Sequence, residues 1–316
     1  MPLTETPDIE AAPRTRPRWW TELPLILLVY ACYSAGRLLA RGDVSGAVDH
    51  GLAILRVEKF LHINAEHPLN RLFTQHAWLG VPADFWYASL HYLVTPALLV
   101  WLFRSRTAHY RAARTWLMTS TFIGLIGFTL LPTCPPRLLA AGHGFVDTMA
   151  QYSSYGWWGG EASAPRGLGG MTNQYAAMPS LHVGWALWCG IILWRFGGTR
   201  LTKFLAVAYP LLTTIVVMGT ANHYFLDAVA GVVVMGIGLL LTPLVTRLAD
   251  RLWTRLAGAV RGFRGGGDPI VSGGCQTSAG ERIPRQRESH VAPGAGAGEP
   301  AAAPSDAGDG APAAAR

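Results

Sequence analysis

The sequence predicts an all-α polytopic membrane protein, a six-transmembrane-helix bundle with amphipathic helices on its outer face. Three observations lead there. Half of the 316 residues are hydrophobic and only 14% are charged, whereas about a quarter of a soluble domain is charged. Six apolar runs, near 23–40, 85–103, 115–131, 181–196, 203–220 and 224–246, approach the roughly 20 residues needed to cross a bilayer core. Basic residues gather in every second segment between those runs, as the positive-inside rule expects of cytoplasmic loops.

The elements follow in order. Residues 1–22 are polar and carry Arg14, Arg16 and Arg18 ahead of Trp19 and Trp20. The apolar run that follows lacks a small-x-small cleavage site and reads as a retained first span rather than a signal peptide. Residues 41–84 are too polar to cross. Their stretch "GAVDHGLAILRVEKFLHI" puts Val48, Leu52, Leu55 and Leu61 near helical spacing among charges. It reads equally as an interfacial helix or as a helical cap packed on the outer face. Trp86, Tyr87, Trp101, Trp116 and Tyr209 stand near proposed span ends, as interfacial aromatics do.

The 104–114 loop carries Arg104, Arg106, Arg111 and Arg114, and the 195–203 loop carries Arg195, Arg200 and Lys203. The segment after the last run begins with Arg247, Arg251, Arg255, Arg261 and Arg264. Residues 132–180 hold only Arg137 and Arg166, and 220–223 hold no basic residue apart from His223. Both termini are therefore expected in the cytoplasm and the protein in the cell membrane. Three regions result: a cytoplasmic segment at 1–22, a six-span membrane domain at 23–246, and 247–316. The last region begins basic and continues as a Gly-, Ala- and Pro-rich tail expected to be disordered.

Composition also excludes function classes. The net charge of +7 is explained by topology, so no nucleic-acid partner is expected. Cys32, Cys134, Cys189 and Cys275 form no C-x-x-C pair, which gives neither a zinc site nor a disulfide framework. No phosphate-binding glycine loop follows a strand, and no metal or other cofactor is expected.

The chemistry gathers in three short clusters. "LPTCPPRLL" leaves the third run, "MPSLH" begins the fourth and "NHYFLD" begins the sixth. With alternating spans, all three meet on the outer face at one depth. Ser180 is a good N-cap after Pro179, which puts His182 in a first helical turn whose free N–H groups favour an anion. His223 and Asp227 are four apart and share a helical face. The carboxylate can accept from one imidazole nitrogen and leave the other as nucleophile or base. Arg137 offers a planar donor fork suited to phosphate oxygens. A carboxylate this close to a membrane span is a functional candidate by default. His50, His62, His67, His76 and His109 read as headgroup-level polar residues.

"PSLH" followed by "HYFLD" resembles the second and third motifs of the type 2 phosphatidic acid phosphatase superfamily, over roughly residues 85–246. Within it the pattern is closer to the inositol phosphorylceramide synthase branch, the inositolphosphotransferases, which also pair Pro-Ser-Leu-His with His-Tyr-Phe-x-Asp after a Pro-Arg turn. The resemblance implies a six-span helical fold. It implies His223 as the nucleophile that forms a phosphohistidine, Asp227 as its orienting group, and His182 as the acid that protonates the leaving alkoxide. It implies Arg137 as a phosphate ligand, with Ser180 beside it. The departures are Leu130 and Leu138 where the family has Lys and Pro, Leu181 for Gly, and Val216 and Val217 for Ser-Arg. Arg166 and His91 are candidates to replace the missing cations, and Asn173 is a candidate headgroup contact, with loop capping as its preferred reading.

The function expected is a lipid phosphotransferase or phosphatase whose partners are membrane lipids, leaning to transfer of a phosphoinositol-like headgroup between lipids. Water as acceptor would make it a phosphatase of phosphatidic acid, phosphatidylglycerol phosphate or a polyprenyl phosphate. A protein that binds or moves lipid without chemistry would not need the His–Asp pair.

Overall fold

The computed structural model describes residues 19–39, 44–158 and 173–264. Apart from an isolated bridge between Thr133 and Ala176, every regular element among the described residues is helical. The chain begins with α1 (Trp19–Leu39), α2 (Val44–Phe60), α3 (Glu66–Gln75) and α4 (Ala77–Phe85). A π-helical turn (Trp86–Leu90) joins α4 to α5 (His91–Ser105). Then come α6 (Thr107–Leu130), the single turn α7 (Thr148–Gln151), α8 (Leu181–Phe196), α9 (Arg200–Gly219) and α10 (Phe225–Arg264).

Each of the six apolar runs falls on a helix, with displaced ends. The second is longer than expected, because the π-helical turn keeps Ala77–Ser105 continuous. The last continues to Arg264, past the expected boundary at 246. Three stretches, Ala77–Ser105, Arg200–Gly219 and Phe225–Ala259, are long and apolar enough to cross a membrane. Apolar α8 has 16 residues, about 24 Å at 1.5 Å per residue, against a bilayer core of about 30 Å.

Local chemistry sets the helix ends. Pro132 follows α6, whose last turn closes with the Leu131 N–H donating to the Gly127 carbonyl at 2.8 Å. Ser180 caps α8 by accepting from the Val183 N–H. Thr199 and Thr202 form a reciprocal capping box at the start of α9. The end of α9 is a Schellman closure: the Asn222 N–H reaches the Val217 carbonyl and the Ala221 N–H the Met218 carbonyl. Ala221 occupies its left-handed position at φ 53°, where glycine is usual.

The core lies between α5, α6, α8, α9 and α10, around Trp116, Trp188, Tyr209 and Met235. Both indoles are satisfied, Trp116 by the Met235 carbonyl at 2.8 Å and Trp188 by the Ala113 carbonyl at 3.1 Å. Outward faces carry exposed Leu93, Val100, Phe204, Leu211, Val233 and Leu240. Such an apolar perimeter suits lipid rather than water.

Of the two readings left open for α2, the structure has the cap. Its Ala47, Gly51, Leu55 and Glu58 are buried, against a cluster that includes Cys134, Leu139, Phe145 and Tyr224. Val57, Phe60 and Leu61 remain exposed beside it. Helix α3 docks on the end of α9, where the Asn70 amide donates to the Gly219 carbonyl at 3.0 Å.

Candidate active site

Backbone pairing brings the three clusters together. The segment after α6 pairs with the segment before α8, through Thr133 N–H to Tyr175 carbonyl at 2.7 Å and Ala177 N–H to Thr133 carbonyl at 3.3 Å. The Arg137 N–H donates to the Ala221 carbonyl at 2.9 Å, just before His223, and the Ser180 N–H donates to the Asp227 carbonyl at 2.9 Å. Gly231 in α10 lets the helices touch: a Cβ there would lie 2.3 Å from the Ser180 carbonyl oxygen. Helix α2 closes the assembly, with His50 Nδ1 at 2.8 Å from the Pro132 carbonyl and the Cys134 N–H on the Ala47 carbonyl.

His223 is 4% exposed. Its Nδ1 lies 2.8 Å from the Ala177 carbonyl oxygen and 3.4 Å from Asp227 Oδ2. A carbonyl can only accept, so the proton sits on Nδ1 and the Nε2 lone pair is free. Nε2 itself is buried without a hydrogen-bond partner. The tautomer is thus held first by a main-chain carbonyl and second by the carboxylate. Asp227 Oδ2 also accepts the Tyr224 N–H at 2.9 Å, the acidic half of a capping box.

His182 is the second residue of α8 and stands beside His223, with ring centroids 5.6 Å apart. Tyr87 stacks on His182 at 4.3 Å and 24°, and His91 meets it edge-on at 4.5 Å. Tyr87 lies in the π-helical turn and His91 begins α5; the irregular turn aims both rings at His182. Such turns often occur at functional sites. The three rings line a narrow cleft with Trp86, Tyr209 and Val217.

Arg137 is held on two sides. Its Nε donates to Asn222 Oδ1 at 2.9 Å, and its Nη1 forms an ion pair with Asp147 at 2.7 Å. Ser180 is fully buried and its hydroxyl serves the α8 cap. Asn173 is 2% exposed and its Oδ1 accepts the Tyr175 N–H at 2.9 Å, a local turn contact of the loop-capping kind. Arg166 lies outside the described residues. The structure therefore gathers His223, Asp227, His182 and His91, with Arg137 joined to them through Asn222.

Sequence reading did not place Tyr87, the Ala177 carbonyl, Asn222, Asp147, or the acids Glu58 and Glu66 at the site. The four-residue spacing of Tyr87 and His91 was the one signal that could have done so; the others depend on long-range contacts. Glu58 and Glu66 are fully buried. Burial raises the Glu58 carboxyl to about 9, with the nearby acids Glu66 and Asp227 adding to the rise, and burial raises Glu66 as well. Burial also pushes the Cys134 thiol up to about 11, which leaves it a neutral packing group near neutral pH. Val216 and Val217 are buried, and Val217 packs on Val183 and Ala228. Apolar packing thus occupies the positions where the family resemblance led one to expect Ser-Arg.

Among the described residues no group of three or more His, Cys, Asp or Glu side chains is arranged to hold a metal ion. The arrangement offers a buried, unpartnered imidazole nitrogen next to a second imidazole, with an arginine fork nearby. Comparison with curated proteins and with solved structures gives no significant match. A family model, that of the PAP2 superfamily, matches residues 52–241, reaching back into α2 and covering α3 as well as the three clusters. That span is more than half of the chain, and the protein belongs to the PAP2 superfamily, a group of phosphatases and phosphotransferases that supports a lipid-directed enzyme of that general type.

Proposed function

We propose that the protein is an integral membrane lipid phosphotransferase that works through a phosphohistidine on His223, moving a phosphoinositol-like headgroup from a phospholipid to a lipid hydroxyl. The observation that carries this reading is the free, buried Nε2 of His223 beside His182, with Nδ1 tied to the Ala177 carbonyl. In the first step the Nε2 lone pair attacks phosphorus. The P–O bond to the glyceride breaks, and protonated His182 gives its proton to the leaving alkoxide. In the second step the acceptor hydroxyl attacks phosphorus and yields its proton to His182 while the P–N bond breaks. The headgroup phosphodiester is restored on the new lipid and both histidines return to their starting states.

Asp227 and the Ala177 carbonyl stabilise the Nδ1–H as positive charge builds on the ring. Arg137 serves as phosphate ligand through its remaining guanidinium nitrogen, and Ser180 acts through the α8 turn that carries His182. His91 is the described residue best situated to supply a further positive group, and Arg166, outside the described residues, is the other candidate cation for the phosphate. We read the bundle as six spans, with α1, α6 and α8 crossing alongside Ala77–Ser105, Arg200–Gly219 and Phe225–Ala259. Both termini are then cytoplasmic and the site opens to the outer face of the cell membrane, a reading supported by the distribution of arginines.

The second reading, a lipid phosphate phosphatase with water as acceptor, is favoured by the family's breadth. One experiment separates the two. Protein in nanodiscs is given phosphatidylinositol labelled in the headgroup, together with ceramide or diacylglycerol. A new labelled lipid is the expected product; water-soluble label alone means hydrolysis. If neither this donor nor phosphatidic acid or a polyprenyl phosphate is turned over, the enzymatic reading fails.

Arg137→Lys keeps the charge but loses the fork that holds Asn222 and Asp147 together. It is expected to lower kcat/KM by roughly 10–100-fold, in line with losing a bidentate, charge-assisted contact. Steady-state kinetics with the lipid found above would check this, and unchanged kinetics would remove Arg137 from the site.

A further inference from the structure

Glu58 and Glu66 take no part in the chemistry above, yet they are among the most deeply buried side chains of the protein. Glu58 Oε1, from α2, accepts the Leu226 N–H at 2.6 Å. That N–H belongs to the first turn of α10, between His223 and Asp227. Two carboxylates therefore satisfy this turn: Asp227 takes the Tyr224 N–H and Glu58 takes the Leu226 N–H.

Glu66, from α3, stands near Glu58, and charge on either opposes charge on the other. Two buried acids so placed avoid that repulsion by keeping a proton between them. Glu58 Oε2 and both oxygens of Glu66 are buried without a hydrogen-bond partner among the described residues, and buried acids in that state keep a proton rather than a charge. The groups that face the pair are Lys59 on α2, and Tyr224 and Asp227 at the mouth of α10. Lys59 favours charge on Glu66, while Asp227 opposes it.

We propose that Glu58 and Glu66 form a shared-proton brace that fixes the first turn of α10, making them positioning residues for the His223–Asp227 pair. The brace ties three elements at one point: α2, α3 and the catalytic turn. Losing its proton puts a second negative charge beside Asp227 and loosens the turn. The inference rests on the reading of His223 as the reacting group, but its test separates the two.

The first measurement needs no substrate. His223 is almost fully buried, so its acylation by diethylpyrocarbonate, followed by mass spectrometry, reports opening of the turn. Glu58→Ala is expected to raise the rate at His223 about fivefold, with exposed His109 at the other end of α6 as unchanged internal reference. Glu58→Gln keeps an oxygen facing the Leu226 N–H and is expected to recover most of that change. If His223 reacts at the wild-type rate in Glu58→Ala, the brace does not exist.

The second measurement follows thermal stability against pH in detergent. A carboxyl raised from 4.5 to about 9 on folding gives stability that is complete below its unfolded value and is lost as pH rises through its folded value. The wild-type midpoint is expected to fall between about pH 5 and pH 9. The double variant Glu58→Gln/Glu66→Gln is expected to lose most of that slope. An unchanged slope would overturn the shared proton, whatever the enzyme's substrate proves to be. With a lipid that is turned over, Glu58→Ala is expected to lower kcat at least tenfold while KM stays within about twofold, because the turn and not the lipid contact is disturbed. A change in KM alone would also overturn the positioning role.

Discussion

His223→Ala is expected to reduce turnover on the order of 10⁴-fold or more, the scale seen when an enzyme loses its nucleophile. Folding should survive the change. The ring's shortest polar contact is Nδ1 to the Ala177 carbonyl, and its neighbours Tyr224 and Asp227 keep their own bond at 2.9 Å. The chemistry has no substitute: His182, beside His223, is already needed as the leaving-group acid, and His91 packs edge-on against His182. Rapid quenching in alkali after mixing with phosphate-labelled lipid should recover label on the wild-type protein, since phosphohistidine survives base. No label should be found on His223→Ala. Label retained on the variant would move the nucleophile elsewhere, and turnover within tenfold of wild type would remove the covalent step from the proposal.

The second large effect is structural. Gly231→Ala introduces a methyl 2.3 Å from the Ser180 carbonyl oxygen and 3.2 Å from its carbon. Both are backbone atoms at the first turn of α8, so no side-chain rotation relieves the clash. The two helices must separate, and the hydrogen bond from the Ser180 N–H to the Asp227 carbonyl is the first to break. Overpacking of this kind costs about 1–3 kcal/mol. It should also cut turnover, because His182 rides on α8 and His223 adjoins α10. Gly236 supplies the control. A Cβ there meets nothing within 4 Å, and Gly236→Ala is expected to be neutral or stabilising by up to about 1 kcal/mol through helix propensity. Thermal midpoints of the two variants, measured side by side, decide the matter. Equal midpoints would mean that α8 and α10 do not approach as closely as described.

Several elements are legible in the sequence alone. The six apolar runs are all helices, because burial in lipid or core leaves a continuous apolar segment few other ways to satisfy its backbone. Ser180 as the α8 cap, and His223 and Asp227 as near neighbours, follow from spacing along one chain segment and need no tertiary contact. Family membership is legible for the same reason: its motifs are short and contiguous.

Other features lie beyond what one chain segment can carry. The 41–84 segment admits two readings, interfacial helix or cap, because its periodicity fixes a buried face without naming what buries it. The structure supplies Cys134 and Tyr224 as that partner. Spacing makes Asp227 the expected chief holder of His223; a carbonyl 46 residues away, that of Ala177, is nearer. Glu58 sits in a helix rich in charge, where its burial could not be guessed.

What the sequence determined by itself is therefore the helical membrane class, the helix starts set by local caps, and the closeness of His223 and Asp227, since each rests on contacts within a few residues. What only the tertiary structure decided is the tautomer of His223, the ring cage around His182, the double anchoring of Arg137 and the buried acids behind α10. Each of these joins segments tens of residues or more apart, except the Arg137–Asp147 pair at ten. Such contacts exist only once the bundle has brought the outer ends of its helices together, so no local pattern encodes them.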